Sequence, residues 1–332
     1  MGRGLNQPDD EVEIRAATDD DIPAVLALAR RTLQWDGLDD EAFFRWKHLE
    51  GPFGRSPMWV ACVDGRLAGL RTFLRWRFTE ADGRTRYAAR AVDTATDPDF
   101  QGGGIFRRLT LHALDALPGL GVEFVFNTPN DKSLSGYLQL GWQVIGRAPV
   151  RVMPTAIGSW PALLRARAPA GLTPLESSVG EEPADVFGDR GAMARLLEQL
   201  ADPRDLATDR SGDYLRWRYG FAPLHYRVVL AGSAVEDGVV VFHLRRRGPA
   251  TEATICDVLL PEGGRSLEHG VMGRIASATR ADYLLRIDRR RAARGWLPTP
   301  RSGPIVTVRD VGGTELPTLD RWSLSMGDVE LF

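Results

Sequence analysis

Two hydrophobic periods alternate along the first half of this chain. Val12-Glu13-Ile14-Arg15 switches between apolar and polar with period two and reads as a strand. Thr18-Asp19-Asp20-Asp21 offers capping residues and early acids for a helix through about Arg31, and Asp39-Asp40-Glu41 opens a second helix through Leu49. Ser56 to Val63 and Leu67 to Phe78 are strands, joined by the Asp64-Gly65 turn of a hairpin. Gly83 turns the chain into another strand, which ends at Thr96. Ile105, Phe106, Leu109, Ala113 and Leu117 then recur at helical spacing, and Phe124-Val125-Phe126-Asn127 is a short buried strand. A further helix stops at Gly141, and Trp142 starts the next strand. The predicted order is β-α-α-β-β-β-α-β-α-β.

Between the strand ending at Thr96 and the helix opening at Ile105 runs Asp97-Pro98-Asp99-Phe100-Gln101-Gly102-Gly103-Gly104. Consecutive glycines let the backbone bend tightly and bare its N–H groups. The first turn of the helix adds unpaired N–H groups and a partial positive charge. Such a strand-to-helix turn suits a phosphate or pyrophosphate. It has neither the Gly-Lys-Ser/Thr ending of a P-loop nor a G-x-G-x-x-G spacing, which argues against ATP and NAD.

The pattern Gln101-x-x-Gly104-x-Phe106 after Asp97-Pro98 resembles the cofactor loop of the GNAT superfamily of N-acyltransferases, which bind the pyrophosphate of acetyl-CoA there. The family prefers Gly or Ala where this chain has Phe106. A second block strengthens the resemblance. Asn130, then Tyr137-Leu138-Gln139-Leu140-Gly141-Trp142, is similar to the family's Asn…Tyr-x-x-x-Gly-Phe. The resemblance covers residues of about 12 to 150. It implies an α/β (α+β) fold with a mixed, mostly antiparallel sheet and helices on both faces. It also implies a gap between the strand before the glycine loop and the next parallel strand, where the pantetheine arm lies. Carried over residue by residue, it assigns Thr94, Ala95, Thr96, Gln101, Gly102, Gly103, Gly104, Ile105, Phe106 and Asn130 to the cofactor, and puts Tyr137 near the thioester sulfur. Taken alone, Asn130 reads equally as a helix cap, and Tyr137 as a ring packed on the core.

The implied reaction is attack of a neutral amine on the thioester of acetyl-CoA. The backbone around Thr94 to Thr96 would polarise the carbonyl, and Tyr137 would protonate the departing thiolate. Asp93 is the candidate base. Strand alternation puts it on one face with Ala95, and Thr94 with Thr96 on the other. Facing the acceptor, Asp93 is a base; facing the helix layer, it is a structural acid. Leu33, Gln34, Trp35, Trp46 and Phe53 occupy the region that shapes the acceptor site in the family, and Trp76 joins them. Each aromatic reads either as cleft lining or as core. The expected acceptor is a primary amine of a small molecule, an amino sugar or similar. The competing readings are a non-catalytic acyl-CoA-binding scaffold and an acyltransferase using a longer acyl-CoA or an acyl carrier protein.

An earlier pattern returns downstream. Phe44-Arg45-Trp46-Lys47, then Gly51-Pro52-Phe53-Gly54 and a strand, has a counterpart in Leu215-Arg216-Trp217-Arg218, then Gly220-Phe221-Ala222-Pro223 and the strand Tyr226 to Ala231. Asp237-Gly238 turns into a strand over Val239 to Arg245. Thr254 to Pro261 follows as a long strand, then a helix at Ser266 to Thr279 and a strand at Tyr283 to Ile287. This suggests a duplicated, tandem GNAT-like arrangement. The second unit has Glu262-Gly263-Gly264-Arg265-Ser266 in place of the glycine loop pattern, and is expected to bind no CoA. The resulting organisation is a flexible lead over 1–11, a catalytic domain over 12–152, a proline-punctuated connector over 153–190, and a degenerate domain over 191–332.

Composition adds limits. The 332 residues carry a net charge of -2, and nearly all the positive charge is arginine, with Lys47 and Lys132 the two lysines. That balance does not point to nucleic acid. Arg245-Arg246-Arg247 and Arg289-Arg290-Arg291 read as solvated faces or as a clamp for an anion. No run of 18 apolar residues exists, so no membrane-spanning helix is expected. Cys62 and Cys256 sit in apolar strand-like runs and read as buried, reduced thiols in a cytoplasmic protein. The five histidines show no metal-ligand spacing, and no metal is expected. A homodimer is the assembly considered.

Overall fold

A computed structural model describes residues 12–33, 40–155, 174–201, 205–289, 295–299 and 302–330. The chain forms two compact units. One comprises residues 1–78, 84–146 and 305–318; the other comprises 79–83, 147–304 and 319–332.

The first unit follows the predicted order closely. Its strands are β1 (Val12–Ala16), β2 (Met58–Val63), β3 (Arg66–Thr79), β4 (Thr85–Thr96), β5 (Phe124–Asn127) and β6 (Gln143–Arg147). Its helices are α1 (Ile22–Thr32), α2 (Asp40–Phe44), α3 (Ile105–Ala116) and α4 (Asp131–Gln139). A π-helical turn, Arg45–Leu49, extends α2. Asp64 and Gly65 both have positive φ, 50° and 73°, as the tight β2–β3 hairpin demands. One face of the sheet buries Trp59, Phe73 and Ala89 against Ile105, Leu109 and Ala113 of α3 and Tyr137 of α4. The other buries Val60, Leu70 and Ala95 against Val25, Leu26 and Leu28 of α1. At Gly69 on β3, an added Cβ would lie 2.6 Å from Ile105 Cγ2 and 2.9 Å from Leu109 Cδ1, so glycine sets how closely α3 approaches the sheet.

The second unit holds β7 (Val150–Pro154), β8 (Leu206–Thr208), β9 (Arg227–Leu230), β10 (Val239–Arg247), β11 (Ala250–Leu259), β12 (Tyr283–Ile287) and β13 (Leu297–Pro298). The helix Arg265–Thr279 connects β11 to β12, which pair in parallel. The sheet order is β13-β7-β12-β11-β10-β9. The predicted boundary between residues 152 and 153 thus falls within β7, an inner strand paired with both β12 and β13. Of the rest of the predicted connector, residues 156–173 lie outside the described residues, as does the 1–11 lead; 174–190 are described, with antiparallel bridges Leu175–Leu244 and Glu181–Val228 and a short helix at Pro183–Gly188.

The chain then returns to the first unit. β14 (Ile305–Asp310) pairs antiparallel with β5, from Thr307 opposite Asn127 to Asp310 opposite Phe124. The order becomes β1-β2-β3-β4-β5-β14-β6. A single boundary near residue 152 therefore does not separate the two compact units.

Candidate active site

β4 and β5 pair in parallel only at Ala88–Phe124, Ala89–Val125 and Arg90–Phe126. β5 stops at Asn127, whereas β4 runs on to Thr96. The last residues of β4 thus pass beyond their partner. A cavity of about 420 Å³ lies elsewhere, near Ser56 and Met58. A second, of about 370 Å³, sits where β4 ends and α3 begins; Tyr137 and Asp93 are not in its lining. Its walls include Thr94, Ala95, Thr96, Gln101, Gly102, Gly104, Ile105 and Phe106, with Thr32 and Phe100. Of the predicted cofactor residues, only Gly103 and Asn130 are not on this wall.

The glycine turn is built as an anion site. Gly102 and Gly104 have φ of 84° and 74°, and an added Cβ at either would have nothing within 4 Å. Gly104 caps α3, and the first helical bond runs from Arg108 N to Gly104 O at 3.0 Å. The amides of Ile105, Phe106 and Arg107 precede that bond, so the helix itself gives them no acceptor. Asp97 pins the turn from below. Its buried carboxylate takes the Asp99 amide at 3.1 Å, Arg31 at 2.8 Å and Arg66 at 2.9 Å. Burial would push this acid up, but that amide and the two guanidiniums hold it below the usual carboxylate range.

Tyr137 is buried, with its ring edge-to-face against Phe106 at 5.9 Å and Trp142 at 5.0 Å. Its ring packs in the core, and its hydroxyl accepts a hydrogen bond from Arg71 Nη1 at 3.0 Å. Arg71 also donates to Thr94 Oγ1. Arg71 escaped the sequence reading, as did Asp97. Asn130 takes the cap role: its Oδ1 accepts from Ser133 N at 3.0 Å and from Ser133 Oγ at 3.1 Å.

Asp93 needs a correction as a candidate base. It faces the α2 side, where Lys47 Nζ lies 2.7 Å and His48 Nε2 2.8 Å from its Oδ2. Burial would push the Asp93 carboxyl up, but Lys47 and His48 outweigh that and hold it well below the usual carboxylate range. A carboxylate so stabilised is a poor proton acceptor. Its φ of 42° marks a local break in β4. Burial drives the His48 ring down despite the pull of Asp93. With Nε2–H assigned to Asp93, Nδ1 accepts from Ser56 Oγ at 3.0 Å.

The acceptor candidates divide. Trp46 and Trp76 are core residues, Trp46 against Phe43 and Trp76 edge-on to Phe53 and Phe126. Leu33 and Phe53 are half-buried. Gln34 and Trp35 lie outside the described residues.

The second unit has a parallel pair, β11 and β12, in register from Glu252–Tyr283 to Thr254–Leu285. Beyond it lies a cavity of about 260 Å³, lined by charged groups. Arg210 reaches Asp257 and Asp328 at 2.8 Å each, and Arg286 pairs with Asp288. The Arg245-Arg246-Arg247 run is not a solvated face throughout. Arg245 is buried against Glu330, and Arg247 meets Glu252 at 2.9 Å, because β10 lies inside its sheet. Arg289 pairs with Asp205 at 3.0 Å; Arg290 and Arg291 are outside the described residues. His243, Cys256 and Glu330 bring one potential ligand atom each within 4.8 Å of one another, a cluster that sequence spacing does not reveal. Cys256 is buried, but Cys62 is half-buried. Among the described residues no helix is long and apolar enough to cross a membrane.

Residues 13–145 match the family model of the acetyltransferase (GNAT) domain. The chain is similar to a GCN5-related N-acetyltransferase from Anabaena variabilis, with a TM-score of 0.62 at 16% identity over 91% of this chain and 73% of that one. A conserved protein from Enterococcus faecalis, described as a probable N-acyltransferase, gives 0.63 at 13% identity, over 91% and 73%. Eis1 from Mycobacterium abscessus gives 0.57 at 14% identity, over 91% and 74%. At such identities the likeness is one of fold. No curated relative matches the sequence.

Proposed function

We propose that this chain, whose residues 13–145 match the GNAT acetyltransferase domain, is a GNAT enzyme that moves an acetyl group from acetyl-CoA to a primary amine of a small molecule such as an amino sugar. The observation that carries this reading is the 370 Å³ cavity, bounded by the glycine turn on one side and the free end of β4 on the other. The unpaired amides of the turn and of the first turn of α3 receive the pyrophosphate. The end of β4 polarises the thioester carbonyl. The amine attacks that carbonyl, the C–S bond breaks, and Tyr137 gives its proton to sulfur. Because Asp93 is committed to Lys47 and His48, the amine loses its proton to water rather than to that carboxylate.

The second unit is read as a degenerate copy. Its hairpin, long strand, helix and parallel strand repeat the order of β2 to β5, and this supports a tandem origin. Ion pairs occupy the end of its parallel pair, and its own turn, Glu262-Gly263-Gly264, lacks the Gln-x-x-Gly pattern of the first unit, so it takes no CoA.

Calorimetry with acetyl-CoA tests the reading, with Gly104→Glu alongside. Tight binding that the variant loses, followed by thiol release with an amine, supports it. Binding without release with any amine moves the protein to the scaffold reading, and preference for a longer acyl-CoA revises the donor.

A further inference from the structure

Arg71 is fully buried on β3, yet no carboxylate pairs with it among the described residues. The buried Arg86 is neutralised by Glu123 at 2.6 Å, and the buried Arg218 spends all three of its nitrogens on Gly327 O, Tyr226 Oη and Glu330 O. Arg71 instead lies among rings, 4.5 Å from the centroid of Phe73, 5.4 Å from Tyr137 and 5.8 Å from Phe106. Its Nε and Nη2 are buried with no hydrogen-bond partner. Only Nη1 is used, and it goes to two hydroxyls, Thr94 Oγ1 and Tyr137 Oη. Thr94 lines the 370 Å³ cavity, and so does Phe106. An uncompensated buried charge is costly, and an apolar side chain of the same shape would pack among these rings at lower cost. The charge therefore has to be explained by what it acts on.

We propose that Arg71 is a positioning residue for the acid of the reaction, acting through Tyr137. This rests on the acyl-transfer reading above. Because Nη1–H donates to the phenol oxygen, the proton of Tyr137 is turned away from Arg71 and toward the departing sulfur. When the C–S bond breaks, the electron pair goes to sulfur and the phenol proton follows. The phenolate left behind faces a guanidinium with no competing anion. It is neutralised when the proton shed by the attacking amine returns to it through water, so the cycle closes with no further reactant. Thr94, held by the same Nη1, keeps the end of β4 in register with that hydroxyl.

The test is a double-mutant cycle on the full chain with acetyl-CoA as donor, reading kcat by thiol release and donor affinity by calorimetry. Arg71→Met is expected to lower kcat at least 100-fold with acetyl-CoA affinity within threefold of the parent. Arg71→Lys, which keeps the charge, restores kcat to within about tenfold. In a Tyr137→Phe background, Arg71→Met costs less than a further threefold, because the group it serves is gone. Multiplying losses in the double variant, or an Arg71→Lys no better than Arg71→Met, overturns the proposal. If Arg71→Met does not fold, the cycle is run with Arg71→Lys, whose smaller loss must likewise vanish beside Tyr137→Phe. A parent protein that releases no thiol with any amine refutes acyl transfer itself, and this inference falls with it. An active parent with an additive cycle refutes only the role of Arg71.

Discussion

Lys47 and Asp93 form a buried ion pair, with Nζ 2.7 Å from Oδ2. His48, the next residue along the π-helical turn, reaches the same oxygen through Nε2 at 2.8 Å. Two consecutive side chains thus converge on the one residue of β4 that leaves extended geometry. Removing one member of a buried pair leaves an uncompensated charge. Lys47→Met should therefore lower unfolding free energy by about 3–5 kcal/mol in urea titrations. A loss below about 1 kcal/mol would show that water reaches the carboxylate.

The same cluster makes stability fall in acid. The folded protein keeps His48 neutral below its ordinary value, so the unfolded ring takes up a proton that the folded one refuses. Its contribution is complete above pH about 6.5 and declines as pH falls below that. His243 acts in the same direction, because burial lowers it too. Asp93 and Asp97 are held down, and Glu330 is pulled to about 2 by His243 and Arg245 against the effect of burial. Their contributions are complete above pH about 4 and are lost as pH drops toward 2. Urea midpoints should thus decline in two stages between pH 8 and 3, and His48→Gln should flatten the upper one. A midpoint that rises on acidification reverses the assigned signs.

Gly104→Glu separates fold from ligand binding. Nothing lies within 4 Å of the added Cβ, so the penalty is the strain of φ at 74°, about 1 kcal/mol. Acetyl-CoA affinity should fall far more, at least 30-fold, since a carboxylate enters the anion site. Gly263→Glu, at the corresponding turn of the second unit with φ of 85°, should leave affinity unchanged. Equal losses at both sites would place donor binding in both units.

Gly69→Val should damage the first unit through packing. The new side chain meets Ile105 and Leu109, the residues that seat α3 on β3. Overpacking of this kind costs about 1–3 kcal/mol. It also displaces the N-terminus of α3, so donor affinity should weaken together with thermal stability. Unchanged affinity in a folded variant would uncouple the turn from the sheet.

A chain cut after residue 190 should be insoluble or fail to bind donor. It lacks β14, and the edges of β5 and β6 are left bare. A soluble, active fragment would show that β5 needs no neighbour on that side.

What could be read from sequence is local. The glycine turn announces itself because few residues adopt its φ values, and β1 to β5 carry their own periods. Arg71 could not be read: between Leu70 and Thr72 on a strand, an arginine looks solvent-facing. Its burial comes from α3 and α4, brought there by contacts distant in sequence. Asp93 was readable as far as its face, shared with Ala95, but its partners on the extension of α2 were not. Arg245 failed the same way, because only the sheet order reveals that β10 is an inner strand. β14 failed because nothing in Ile305 to Asp310 names a partner as far back as Asn127.

That late strand sets the order in which the protein can mature during synthesis. The chain from Asn127 to Ile305 is about 180 residues long, some 10–35 s of translation at roughly 5–20 residues per second. For that interval the glycine turn, Tyr137 and Arg71 already exist, while the sheet that carries them is unfinished. The nascent protein should acquire donor binding only after Asp310 has left the ribosome.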